Sequence, residues 1–314
     1  MKTVIIILGA ARSGSTLLAK AIGGHSACFG LGEINRFNEE IENPDTHCGC
    51  GEKLNLCSFW SQILQELNLD FTSTTRQSDN FNVGIFNQLT KKKYLHKLIN
   101  TVVFKSVYTN KLVEREIENT FTLYNKIFEK TNVDVLVDST KGLLRAIVLA
   151  SRSDKNINFK FIQLTRDGRG VLNSNLKTSY SIKHKDGSIV NYKGHDKTKN
   201  PSKLIRAWLY INLRNFVLLK LFYKKKTLFV NYEQFTGEPE SNLRKIYDFL
   251  QLEYEPEVLD LSKHEQHILG GNASRINAKK ITKQDDKWQT DLDAAILRSF
   301  NRKAGWFNRL AGYK

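Results

Sequence analysis

The chain has 314 residues, of which 40% are hydrophobic and 11% aromatic, enough for one large α/β domain that carries a helical insertion. Lys and Arg number 48 against 32 Asp and Glu, a net charge of +16 that points to anionic partners such as nucleic acid, an acidic membrane surface or phosphorylated small molecules. No run approaches the about 20 apolar residues of a membrane-spanning helix, and the N-terminal apolar stretch is too short for a signal-peptide core, so a cytoplasmic protein is expected.

In chain order, Thr3 to Leu8 is a β-branched run closed by Gly9, the pattern of a buried parallel strand. The loop Gly9-Ala10-Ala11-Arg12-Ser13-Gly14-Ser15-Thr16 follows, and helical spacing runs from Ser15 to Ile22 before Gly23-Gly24 ends it. Residues from about 37 to 132 read as an irregular, then helical and basic insertion, with a lysine run at Lys91-Lys92-Lys93. A second strand is expected at 133–138, a helix from Gly142 to about 151, a third strand at 159–164 and a helix over 168–176. The polar, aperiodic stretch 177–201 has the length of a lid loop. An apolar helix with a core Trp208 (204–222), a strand (227–230) and a helix (238–250) complete a doubly wound, P-loop-like parallel sheet flanked by helices, in a single domain spanning 1–314.

The glycine turn between strand and helix aims backbone N–H groups and the helix dipole at one point, an anion site. Gly9 and Gly14 permit the turn, Arg12 adds a planar cation, and Ser13, Ser15 and Thr16 add hydroxyl donors. The spacing approaches the ATP-binding pattern G-x-x-x-x-G-K-[ST], but Ser15 stands where that pattern requires Lys. A kinase with Asp138 as its metal-binding acid is therefore the weaker enzymatic reading. A basic scaffold or nucleic-acid-binding protein without activity is a third, although the regular aromatic interleaving of a single-strand binder is missing.

The loop resembles the 5'-phosphosulfate loop of sulfotransferases that use 3'-phosphoadenosine-5'-phosphosulfate (PAPS), in the branch written R-S-G-[ST]-T. A second element strengthens the resemblance: Arg166 leaves the third strand in Thr165-Arg166-Asp167-Gly168, and Ser174 lies about two turns along the next helix. The family binds the donor's 3'-phosphate with an Arg and a Ser so spaced. Asn231-Tyr232-Glu233-Gln234-Phe235, His267 through Arg275 and Leu310-Ala311-Gly312-Tyr313 are similar to further stretches of tyrosylprotein and carbohydrate sulfotransferases.

The resemblance implies sulfuryl transfer from PAPS to an acceptor hydroxyl, leaving adenosine 3',5'-bisphosphate (PAP). It assigns donor binding to Ala11, Arg12, Ser13, Gly14, Ser15, Thr16, Arg166 and Ser174. Apart from the resemblance, the basic residues Arg275, Lys279 and Lys280 either wrap the 3'-phosphate or form a plain basic surface. Arg12 and Lys141 supply catalytic charge, and Glu33, in Gly32-Glu33, is the base ahead of His25. The acceptor is open: polysaccharide, glycolipid, small metabolite or protein tyrosine. No nucleic-acid partner is expected.

All four cysteines, Cys28, Cys48, Cys50 and Cys57, fall early in the chain. His47, Cys48, Cys50 and Cys57 would supply four zinc ligands, but this is not a pair of CxxC knuckles, and adjacent His47 and Cys48 would have to wrap one ion tightly. Reduced thiols or a disulfide at Cys57 fit the spacing better, His264 and His267 are assigned to local hydrogen bonds, and no metal is expected.

Overall fold

The computed structural model describes residues 1–69, 81–84, 111–152, 156–177, 179–183, 187–193, 200–282 and 286–313. The lysine run at 91–93 lies outside them. The strands are β1 (Lys2–Leu8), β2 (Cys28–Gly32), β3 (Val135–Lys141), β4 (Ile157–Thr165), β5 (Ser179–Lys183), β6 (Ile189–Lys193) and β7 (Thr227–Asn231). The principal helices are α1 (Ser15–Ile22), α2 (Phe37–Glu42), α3 (Ser58–Glu66), α4 (Lys111–Thr131), α5 (Leu143–Arg152), α6 (Gly168–Leu176), α7 (Pro201–Phe222), α8 (Tyr232–Gly237), α9 (Pro239–Leu250) and α10 (Ala294–Leu310).

Five strands form one sheet in the order β2-β3-β1-β4-β7, and every pairing in it is parallel. β1 lies at the centre, and its side chains alternate between two cores. Val4, Ile6 and Leu8 join one core with α3, α4 and α5, while Ile5 and Ile7 join the other with α1 and α9. Burial on both faces is why this strand reads as an unbroken apolar run. A third cluster packs Val171 and Leu172 of α6 against Ile205, Trp208, Phe300 and Phe307, so Trp208 is a core residue.

The fold departs from the sequence pattern in two places. β2 forms the sheet edge where no strand was expected, because Cys-Phe-Gly-Leu-Gly carries two glycines that normally weaken a strand. Here the glycines admit close backbone: a Cβ on Gly32 (φ 85°) would sit 2.0 Å from the Leu269 carbonyl oxygen. Leu269 pairs with this edge, donating its N–H to Leu31 O and accepting from Glu33 N, which covers the exposed side of the sheet. Among the described residues of 177–201, β5 and β6 pair antiparallel where no strand was expected; the rest of the expected lid loop lies partly outside the described residues. Among the described residues, no helix is long and apolar enough to cross a membrane.

Candidate functional site

The residues singled out by sequence gather at the carboxyl ends of the parallel strands, where an open α/β sheet forms its ligand crevice. Strand register accounts for the gathering. Leu8, the last residue of β1, is level with Lys141 on one side and with Gln163 on the other. The glycine loop therefore rises between the strand end that carries Lys141 and the one that leads to Arg166.

Two glycines shape the loop by contact as well as conformation. A Cβ on Gly9 would meet the Leu164 carbonyl oxygen at 2.4 Å, and one on Gly14 would enter the Tyr232 ring at 2.1 Å. Arg12 (φ 67°) and Lys141 (φ 69°) both adopt the left-handed region, at a cost of about 1–3 kcal/mol each. Gly14 caps α1 without a side-chain hydrogen bond, so the first-turn N–H groups point into the loop. Ser13 and Ser15 are buried beside them, and the Thr16 hydroxyl accepts from Asn272 N at 3.1 Å.

The loop and the Arg166–Ser174 pair form one unit. Arg12 Nε donates to Ser174 Oγ at 2.9 Å, and Arg166 Nη1 donates to the Arg12 carbonyl oxygen at 3.0 Å. The Arg166 guanidinium lies 4.9 Å from the centre of the Tyr232 ring. Among the described residues, Arg166 Nε and Ser13 Oγ are buried polar atoms with no hydrogen-bond partner. Two such donors beside a helix N-terminus suit an anionic ligand with several phosphate oxygens.

A second layer fixes these groups. Asp167 N donates to Glu233 Oε1 at 3.0 Å, Gly168 N to Asn308 Oδ1 at 3.0 Å, and Tyr313 Oη to the Thr165 carbonyl oxygen at 2.7 Å. The Asp167 carboxylate is held by Arg169 at 2.6 Å, which keeps it from neutralising Arg166. Burial pushes the Glu233 carboxyl up, against the opposing pull of the Asp167 N–H. Tyr232, Glu233 and Tyr313 had no assigned role in the sequence, although the stretches around 231–235 and 310–313 carried the signal.

On the other side of β1, Lys141 Nζ makes an ion pair with Glu33 Oε1, each side chain less than one-fifth exposed. Glu33 does not follow α1 directly but begins at the end of β2, next to β3, which brings its carboxylate to Lys141.

Three expected roles fare differently. Arg275 is buried and donates Nη1 to Gly271 O at 3.0 Å and Nη2 to His47 O at 3.2 Å. There it braces two loops. His25 has both ring nitrogens occupied, Nε2 by Glu253 O at 2.7 Å and Nδ1 by Ala27 N at 3.0 Å. Asp138 is fully buried and accepts from Arg145 Nη1 at 2.9 Å, Tyr124 Oη at 2.5 Å and Thr140 N at 2.8 Å. Burial, then the Asp138 charge, pushes the Tyr124 hydroxyl well above its ordinary value, so the phenol remains a donor. A carboxylate so saturated is not available to a catalytic metal.

A parallel sheet with a phosphate-sized loop at the end of its central strand defines a P-loop-like α/β protein. The sulfotransferase domain family matches residues 2–301, and the chain belongs to that family. Carbohydrate sulfotransferase 5 of Mus musculus is 25% identical over 174 residues, which cover 52% of this chain and 43% of that relative. The match thus spans less than half the length of the mouse protein. Among solved structures, the sulfotransferase domain of the Synechococcus PCC 7002 olefin synthase aligns with a TM-score of 0.55 at 17% identity, covering 98% of this chain and 94% of that one. The sulfotransferase domain from the curacin biosynthetic pathway aligns with a TM-score of 0.53 at 18% identity, covering 100% and 99%. At these identities the likeness is one of fold.

Proposed function

We propose that the protein transfers a sulfuryl group from PAPS to an acceptor hydroxyl and releases PAP. The observation that carries this reading is the contact of Arg12 with both Ser174 and Arg166, which joins the glycine loop to a second cationic site. A nucleotide with phosphate at two ends needs two such sites, held at a fixed separation. In this reading the loop from Ala11 to Thr16 holds the 5'-phosphosulfate, and Arg166 with Ser174 holds the 3'-phosphate. The unpaired Ser13 Oγ and Arg166 Nε support the fit.

PAPS supplies an activated sulfuryl group on a phosphate leaving group. Glu33 takes the acceptor's hydroxyl proton, the acceptor oxygen forms the new S–O bond, and the bond from sulfur to the phosphate oxygen breaks in line. Lys141 orients Glu33 and, with Arg12, places positive charge beside the transferring group. Each such contact is worth about 2–4 kcal/mol by analogy with an oxyanion-hole donor. The sealed Asp138 and the absent loop lysine count against ATP chemistry.

The net charge of +16 favours an anionic acceptor, and the mouse relative's name makes carbohydrate the first class to test. Calorimetry with PAP against ATP and magnesium tests the donor: PAP binding with little ATP binding is expected, and the reverse overturns the proposal.

A further inference from the structure

Cys48, Cys50 and Cys57 meet a residue that the sequence places far away. The three sulfurs and one ring nitrogen of His267 all lie within 4.8 Å of one another. His267 Nδ1 is 3.7 Å from Cys48 Sγ and 3.3 Å from Cys57 Sγ. Tetrahedral zinc, with bonds of about 2.3 Å to sulfur and about 2.0–2.1 Å to nitrogen, spaces its ligand atoms about 3.5–3.8 Å apart. A polynuclear iron–sulfur cluster needs a wider ring of thiolates.

The backbone holds this arrangement independently of the side chains. Cys48 N donates to Glu52 O at 2.9 Å and Gly51 N to Cys48 O at 3.0 Å, so Cys48 and Cys50 share a tight turn. Cys57 stands at the start of α3 and donates its N–H to Lys53 O at 3.0 Å. Gly49 N donates to Ile268 O at 2.9 Å, and a Cβ there would lie 2.6 Å from Gln266 O, so this turn docks directly on the chain around His267. The imidazole stacks on Phe59 at 4.9 Å and 6°, and Trp60 Nε1 donates to His267 O at 2.8 Å. With its ring thus fixed, Nδ1 faces the sulfurs. His47, the histidine adjacent in sequence, turns Nδ1 to Asp45 O at 2.9 Å and is not in the cluster. Cys28 lies apart in the apolar core beneath α1, where a thiol acts as an ordinary small hydrophobe.

We propose that Cys48, Cys50, Cys57 and His267 Nδ1 bind one zinc ion in a closed, structural site. Three thiolates and an imidazole select a soft or borderline ion over magnesium or calcium. Four protein ligands leave no open position for chemistry. The ion fastens the 48–57 segment to the strand-like stretch that leads from His267 through Leu269 to Asn272. That stretch accepts Glu33 N at Leu269 O and donates Asn272 N to Thr16. The clasp therefore steadies the backbone on which both the glycine loop and Glu33 rest.

The test is metal analysis of the full chain, purified from zinc-supplemented cells and dialysed against a weak chelator. About one zinc per chain is expected. Replacing it with cobalt should give the intense near-ultraviolet thiolate-to-cobalt bands of a tetrahedral site. His47→Ala should keep the metal, whereas His267→Ala and Cys50→Ser should lose it. Should those two variants fail to fold, the stoichiometry and cobalt spectrum of the unaltered protein still decide the matter. A chain with no zinc and no cobalt bands, or one isolated with a disulfide among these cysteines, overturns the proposal, as does full zinc retention by a folded His267→Ala. None of these readouts depends on PAP, so this site and the donor reading can fail separately.

Discussion

Arg12 Nε and Ser174 Oγ are 2.9 Å apart although 162 positions separate them in the chain. This hydrogen bond ties the strained loop residue to helix α6, and Arg166 closes the unit by bonding the Arg12 carbonyl oxygen. Ser174→Ala removes a neutral–charged bond and one candidate phosphate donor, so PAP affinity should fall about tenfold by calorimetry. Arg12→Ala should weaken PAP binding about a hundredfold while the circular dichroism spectrum holds. PAP binding by Arg12→Ala at the unaltered affinity would remove the loop from the donor site.

Glu33→Gln keeps the shape of the side chain and loses the proton acceptor. We expect kcat to drop by about 10²–10⁴ with PAP affinity unchanged within about twofold. A parallel loss of PAP affinity would assign Glu33 to donor binding instead of proton transfer.

Two arginines allow a test of burial against exposure. Arg145 is buried between Asp138 and Glu116, whereas Arg244 pairs with Glu240 on the surface of α9. Arg145→Leu strands two buried carboxylates and should cost about 3–5 kcal/mol in urea denaturation, a large share of an ordinary domain's stability. Arg244→Ala should cost under about 0.5 kcal/mol. Similar losses for the two variants would mean that the Arg145 network is open to water.

Lys20 is buried in α1 and donates to the carbonyl oxygens of Arg275 and Ala278. Burial lowers its pKa to about 8, below the unfolded value near 10.4. Between those values the unfolded chain binds the proton that the folded chain has released. This residue's contribution to stability therefore rises with pH across that window, and it is least favourable below pH 8. Urea midpoints of the unaltered protein and Lys20→Met at pH 8 and pH 10 should show the unaltered protein gaining relative to the variant. A difference that stays constant contradicts the lowered pKa.

Much of this architecture is legible in the sequence because its signals are local. The β-branched run, the glycine loop and the two-turn spacing from Arg166 to Ser174 each lie within one short segment. β2 was hidden because its glycines serve contacts with Leu269 and Gln266, which local propensity does not register. The same limit explains Arg275, whose hydrogen-bond acceptors are backbone carbonyls that no motif records. His267 was assigned to local hydrogen bonds for the same reason: its sulfur neighbours lie 210 and 219 positions earlier. His47 beside Cys48 was the local alternative, and its ring faces the Asp45 carbonyl instead.

The Asn272 amide that holds Thr16 is made 256 residues after it. At about 5–20 residues per second, a ribosome needs on the order of 10–50 s to bridge that gap. Through that interval the nascent chain already has its glycine loop but lacks both the clamp on Thr16 and the Leu269 cover on the open edge of β2. Synthesis speed and chaperone occupancy thus bear on this site more than on a domain whose binding loop is finished by its own neighbours.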